Sequence, residues 1–288
     1  MSAIIYLNGQ FMPLEDARIS VLDRGFLFGD GVYEAIPVYG GRMLRGDGHL
    51  ARLEQSLAGI RLANPLTRVE WSAMLHDLIE LNGGGDQAIY LQVTRGAPGK
   101  RDHAFPPVGT PPTVFAMSNP LAPIPAQWTD EGAEAVTVPD LRWQRCDLKT
   151  VQLLGNVMAR QQAVEQGAIE AILVRDGQAI EGAASNLFVV KDGVVFTTPK
   201  SPSILGGITR DLVIELARRE GVPLCEEAIP EACLRAADEV WVTSSTREIV
   251  PITRLDGQPV GAGVPGPVWS RLHVAYQSFK QKVREGKA

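Results

Sequence analysis

The chain has 288 residues, 45% of them apolar, and a formal net charge of -5, enough for one large domain or two ordinary ones with packed cores. The acidic balance comes with neither a basic stripe nor an interleaved aromatic ladder, so it excludes a nucleic-acid footprint and leaves small molecules as the expected partners. Cys146, Cys225 and Cys233 are unevenly spaced with no CxxC pair, which excludes a disulfide framework or zinc site and points to a reducing compartment, the cytoplasm. The opening MSAIIYLNGQFMP has no basic region, and its apolar run is too short for a signal peptide or a membrane span.

In chain order, IIYLNGQFM predicts two short strands about Asn8-Gly9, and VYEAIPVYGGRML repeats the pattern about Gly40-Gly41. Asp47 is the expected cap of a helix with Leu50, Leu53, Leu57 and Ile60 on one face. TRVE at Thr67 to Glu70 is a capping box ahead of Trp71, Leu75, Leu78 and Ile79. AIYLQVTRG and TVFAM return to strand, and the proline-dense SNPLAPIPAQ marks a domain boundary. Beyond it the pattern predicts strands at 134–138, 170–174, 186–190 and 194–197, with hairpin turns at Asp176-Gly177 and Asp192-Gly193. Helices are expected at about 151–166, from Thr209 and from Pro267, with the strand EVWVTSS between the last two. The expected organisation is a smaller α/β domain at 1–119, a Pro-rich linker at 120–127 and a larger α/β domain at 128–288. Antiparallel hairpins are too frequent for a doubly wound parallel sheet, so the fold class is mixed α+β.

Chemistry concentrates in the second half. Lys149 is one of seven lysines against twenty-one arginines, and it alone stands between a leucine and an apolar helical run. An amine desolvated there is nucleophilic toward a carbonyl and forms a Schiff base. LGGITRD (205–211) sets two glycines before a helix start, where first-turn amides and the Thr209 hydroxyl make an anion site; an ordinary glycine loop is the plainer alternative. VTSSTRE ends a strand in four hydroxyl residues, a second cup for phosphate oxygens. IEGAASNLF places Glu181 beside small residues, where a carboxylate faces a flat ligand. Amine, carboxylate and phosphate cups are the protein handles of pyridoxal phosphate. The four histidines show no HExxH-like spacing, so no metal is expected.

DRGFLFGDGVYE, RWQRCDLKTVQLLGN, IEGAASNLF, ILGGITRD and VWVTSSTREI occur in that order. Their order and spacing resemble the class IV (fold type IV) pyridoxal phosphate aminotransferases across residues 4 to 260. QVTRGAPGKRDHAFP is similar to the D-amino acid transaminase branch. The resemblance implies two mixed domains with the cofactor at their interface, a homodimer, and ping-pong transfer of an amino group from a D-amino acid to a 2-oxo acid. It makes Lys149 the Schiff-base lysine that shuttles a proton, and Glu181 the partner of the pyridine nitrogen. Arg52 forks onto the phosphate with the Ile208 and Thr209 amides and Ser245, while Leu205 packs on the ring. Ser185, Asn186, Gly207 and Ser244 complete the cofactor's surroundings. Tyr33 binds the substrate carboxylate with Arg101 and His103, the latter two drawn from the partner subunit.

Departures from that branch fall at Ala183 and Ala184, where serines are common, at Ala35 and Pro37 after Tyr33, and at Arg247 beside the second cup. Within the class, an L-branched-chain aminotransferase and an aminodeoxychorismate lyase share the cofactor handles but not the Arg101-x-His103 pair. Outside it, a phosphate-binding module without covalent chemistry has no use for Lys149.

Overall fold

The structure is a computed structural model that describes residues 3–287. It divides into two compact units. The first contains β1 (Ile4–Leu7), β2 (Gln10–Pro13), α1 (Arg24–Phe28), β3 (Gly31–Tyr39), β4 (Arg42–Met43), α2 (Gly46–Gly59), α3 (Arg68–Leu81), β5 (Gln87–Thr94) and β6 (Thr113–Pro120). Its six strands lie in the order β2-β1-β6-β5-β3-β4 and pair antiparallel throughout. Asn8 and Gly9 both take positive φ, 49° and 94°, as a two-residue hairpin turn requires. Along β3 the residues alternate: Val32, Glu34, Ile36 and Val38 are buried, while Tyr33 and Ala35 are half-buried on the other face. Helices α2 and α3 cover the buried face with Leu50, Leu53, Leu57, Trp71, Leu75, Leu78 and Ile79.

The expected capping box is present, with the Thr67 side chain accepting from the Glu70 N–H and Glu70 reaching back to Thr67. Asp47 is not the cap of α2. Arg45, in the left-handed region at φ 53°, turns the chain out of β4 so that the helix begins at Gly46, leaving Asp47 in the first turn, where its charge meets the helix dipole.

The second unit contains α4 (Ala126–Asp130), β7 (Ala133–Pro139), α5 (Leu154–Glu165), β8 (Glu170–Arg175), β9 (Gln178–Gly182), β10 (Asn186–Lys191), β11 (Val194–Thr197), α6 (Ile208–Arg219), β12 (Leu224–Glu226), β13 (Ile229–Pro230), α7 (Glu231–Arg235), β14 (Glu239–Ser244), β15 (Glu248–Leu255), β16 (Gln258–Pro259) and most of α8 (Pro267–Arg284). Its sheet runs β12-β11-β10-β14-β15-β7-β8-β9-β13, with β16 on β15. It is mixed: β7 runs parallel to β8 and β15, and β11 to β12, while the hairpins are antiparallel. Strand β15 escapes sequence prediction because Pro251 demotes it. Pro251 lies one residue before the parallel ladder to β7 opens at Ile252, so that side of the strand has no neighbour waiting for an N–H. Alanines 159, 163 and 168 let α5 and the turn after it pack closely on Val136, Val138 and Leu173.

The division of the chain departs from the expected 1–119, 120–127 and 128–288 in one place that matters. Residues Leu148–Leu153, and with them Lys149, belong to the first unit rather than the second, as do the residues from Lys282 on. The reason is an open sheet edge. β4 pairs only with Val38 and Tyr39, so the start of β3 has unpaired backbone. The segment fills it: the Tyr33 N–H donates to the Lys149 carbonyl (2.9 Å) and the Val151 N–H to Gly31 (3.0 Å), with Thr150 bridging Val32. Helix α5 consequently starts at Leu154, three residues later than its apolar pattern suggests.

Candidate active site

In the first unit the Lys149 ammonium sits 4.0 Å from the centroid of the Tyr33 ring. Its backbone N–H donates to Ser56 Oγ at 3.1 Å. Amine and ring are therefore registered twice, by the main-chain bond to Tyr33 and by the cation on the ring face. On the buried face of the same strand, Glu34 accepts a bidentate fork from Arg52 (Nε 2.8 Å, Nη2 2.7 Å) and a bond from His49 Nδ1 (2.7 Å). Burial pushes the Glu34 carboxyl up, but the Arg52 charge and the two donors outweigh it and hold it at about 2. Burial, together with the Arg52 and Lys149 charges, lowers His49 against the pull of Glu34. An ionised Glu34 cannot donate, so neutral His49 carries its proton on Nδ1. The fork expected to reach a phosphate is thus engaged by Glu34.

Arg101 and His103 are exposed, in the segment between β5 and β6. Arg24, itself buried, donates to the carbonyls of Asp102 (2.5 Å), Ala104 (3.1 Å) and His103 (3.3 Å), and Asp30 holds that arginine in place. Phe28 lies against both side chains, 5.1 Å from the His103 ring and 5.0 Å from the Arg101 guanidinium. Their ring contacts are with Phe28, whereas those of Tyr33 are with Tyr90 and Lys149.

In the second unit Glu181, Asn186, Leu205 and Gly207 converge. Glu181 is the penultimate residue of β9, and its Oε1 accepts from Arg142 Nη1 at 2.5 Å. Its Oε2 accepts from Asn186 Nδ2 (3.0 Å) and from the Leu205 N–H (3.2 Å). The Leu205 carbonyl in turn accepts from Asn186, closing a triangle. Gly207 is required because a Cβ there falls 1.9 Å from Asn186 Oδ1. It precedes α6 with no side-chain cap, so the Ile208 and Thr209 amides are first-turn donors without helical partners. Burial drives the Glu181 carboxyl up to about 7, with Arg142 holding it back.

Arg142 has no signal of its own in the sequence beyond lying in the same motif as Lys149. The structure makes it the counter-ion of Glu181 and, through a second fork, of Asp140, which Arg175 also pairs. Glu34 and His49 are likewise missed, although an acid beside Tyr33 and the basic pair at i, i+3 on α2 are a readable signal. Ser185 donates to buried Glu170 (2.8 Å), and Arg247 pairs with the same carboxylate (2.5 Å), so Arg247 is an ion-pair residue. The Arg247 N–H also donates to Ser244 Oγ, tying that cup to Glu170; Ser245 is half-buried beside it. No group of three metal-ligating side chains occurs among the described residues.

Residues 31–255 match the family model of amino-transferase class IV. The chain is a class IV aminotransferase. This aminotransferase is 41% identical to the D-alanine aminotransferase of Bacillus licheniformis over 275 residues, covering 95% of this chain and 96% of that protein. It is 39% identical to the D-alanine aminotransferase of Listeria monocytogenes over 93% of each. Among solved structures, the branched-chain amino acid aminotransferase of Escherichia coli superposes with a TM-score of 0.89 at 29% identity, covering 96% of this chain and 94% of that one. The T.th. branched-chain amino acid aminotransferase, solved with pyridoxamine 5'-phosphate, also gives 0.89, at 28% identity over 100% of this chain and 96% of that one.

As a member of this class the protein is a pyridoxal phosphate-dependent aminotransferase with two mixed units. Its residues fit that cofactor. A carboxylate accepts at about four positions, and Glu181 holds three donors, leaving room for one protonated ring nitrogen. Lys149 would supply the amine, and the bare start of α6 suits an anion.

Proposed function

We propose that this aminotransferase moves an amino group from a D-amino acid such as D-alanine to a 2-oxo acid such as 2-oxoglutarate, by a ping-pong mechanism. The observation that carries the reading is the Lys149 amine on the Tyr33 ring, on the strand face opposite the Glu34–Arg52 pair. The D-alanine aminotransferases that the chain resembles support the substrate class. When bound, pyridoxal phosphate supplies the carbonyl that takes up the amino group and the ring that draws electrons from the α-carbon. Lys149 carries the proton between the substrate α-carbon and its acceptor on the cofactor. Glu181, charge-balanced by Arg142, keeps the proton on the ring nitrogen. The phosphate is held by the Ile208 and Thr209 amides and the Ser244 and Ser245 hydroxyls, while Arg52, expected to fork onto it, is forked onto Glu34 instead. Tyr33 receives the substrate carboxylate with Arg101 and His103.

In this reading the enzyme is a cytoplasmic homodimer in which Arg101 and His103 serve the partner. Three free cysteines are in keeping with a reducing compartment, and no described helix is long and apolar enough to cross a membrane. Exposed apolar residues support self-association: Leu154 (72% exposed), Val157 and Met158 follow one another on α5, and Phe26 is 71% exposed on α1.

Absorbance of the protein with bound cofactor, before and after D-alanine, with L-alanine and L-leucine in parallel, tests the reading. Conversion to the pyridoxamine form with D-alanine alone is expected, and Lys149→Ala should abolish it. The branched-chain neighbours favour a second reading, transfer from L-leucine; a response to L-leucine alone would replace the first reading with the second.

A further inference from the structure

The half-buried face of the first sheet carries a hydrogen-bonding side chain that none of these roles uses. Gln92 on β5 is the register partner of Tyr33 on β3, so the two side chains leave the sheet on the same side. Tyr90, two residues back along β5, shares that side. Its ring stacks on Tyr33 (centroids 5.6 Å, 28°) and its hydroxyl donates to Gln92 Oε1 at 2.7 Å. Burial, with Tyr33 alongside, pushes the Tyr90 hydroxyl up to about 12, so it keeps its proton and can donate.

With Oε1 taken by Tyr90, the donor end, Nε2, is the end left to meet a ligand, and among the described residues it has no acceptor. The face is apolar on one side of Gln92 and polar on the other, where Thr94, two residues on along β5, and Thr113 opposite it both donate to Asp23. Ala35 stands opposite Tyr90 on β3, while Phe115 and Met117 stand opposite Gln92 and Tyr90 on β6, all half-buried. A pair of N–H donors next to a tyrosine whose ring carries the Lys149 amine is suited to an oxygen anion and offers nothing to an apolar group.

We infer that Gln92 is a further substrate-binding residue, donating a hydrogen bond to the substrate α-carboxylate beside Tyr33, with Tyr90 as the positioning residue that aims it. The inference rests on the transaminase reading above. Gln92 takes that carboxylate rather than a distal one because it stands directly opposite Tyr33 in the register, while the Thr94 and Thr113 hydroxyls beyond it are already engaged by Asp23. The donor is neutral, so it orients the carboxylate without adding a charge next to the Lys149 amine.

The test measures binding of propionate, an unreactive monocarboxylate, to the holoenzyme by calorimetry, with propionamide as the uncharged control. It is paired with kcat and KM for D-alanine and D-glutamate. Gln92→Leu should weaken propionate about tenfold, weaken propionamide by a smaller factor because its carbonyl is an uncharged acceptor, and raise KM for both amino acids by the same factor as propionate. Gln92→Glu, which keeps the shape and an acceptor for Tyr90, should weaken propionate further, and Tyr90→Phe should do so by a smaller factor. Unchanged propionate affinity in both Gln92 variants overturns the inference, and so does a KM rise confined to D-glutamate. A wild-type enzyme with no D-alanine half-reaction defeats the transaminase reading itself; a reacting wild type whose Gln92 variants bind propionate normally defeats this inference alone.

Discussion

Glu34 and Glu181 are both carboxyls taken out of water, and their neighbours drive them in opposite directions. Glu34 is held at about 2 against an ordinary 4.5, because the Arg52 fork and His49 outweigh its burial. A depressed carboxyl stabilises the fold above pH 4.5 and loses that contribution as pH falls from 4.5 toward 2. Glu34→Gln should therefore flatten the acid side of a melting-temperature profile in that window. Leaving Arg52 without its partner should also cost about 3–5 kcal/mol at neutral pH, read by urea unfolding. Glu181 goes the other way: burial lifts it to about 7, so in the cofactor-free chain stability falls as pH rises from about 4.5 to about 7. Arg142→Met removes the charge that holds the carboxyl down. The variant should carry a protonated Glu181 well above pH 7 and lose pyridoxal phosphate on dialysis, followed by absorbance.

At the scale of elements, two helix starts differ in what they do. The α3 start is a solvent-exposed capping box, and Thr67→Ala should lower stability by about 1 kcal/mol while leaving kcat unchanged. The α6 start is bare, with Gly207 pressed against Asn186. Gly207→Ala must displace Asn186 and with it a donor to Glu181, so cofactor affinity should drop at least tenfold in a fluorescence titration while secondary structure by circular dichroism stays the same. The capping box is written in four consecutive residues, and its sequence signature is complete. The need for glycine at 207 arises from a side chain 21 positions away and is invisible locally.

For the whole molecule, the exposed Leu154, Val157 and Met158 of α5 form the surface on which the homodimer proposal can be tested. Val157→Asp should shift the mass measured by light scattering from dimer toward monomer, and an unchanged dimer would show that the α5 face is not the contact. By itself the sequence determined what depends on near neighbours: the Asn8-Gly9, Asp176-Gly177 and Asp192-Gly193 turns, the helix faces, the Lys149, Glu181 and LGGITRD motifs, and the class they belong to. These rest on backbone preference, short-range periodicity and motif order, all carried within a few residues of chain. The tertiary structure alone decided that Lys149 belongs with β3, that Arg52 grips Glu34, that Arg142 balances Glu181 and that Arg247 serves Glu170. Those outcomes depend on which unpaired backbone edge or buried charge lies nearest in space, and residues 18 to 116 positions apart in the chain meet there only once the sheets have formed.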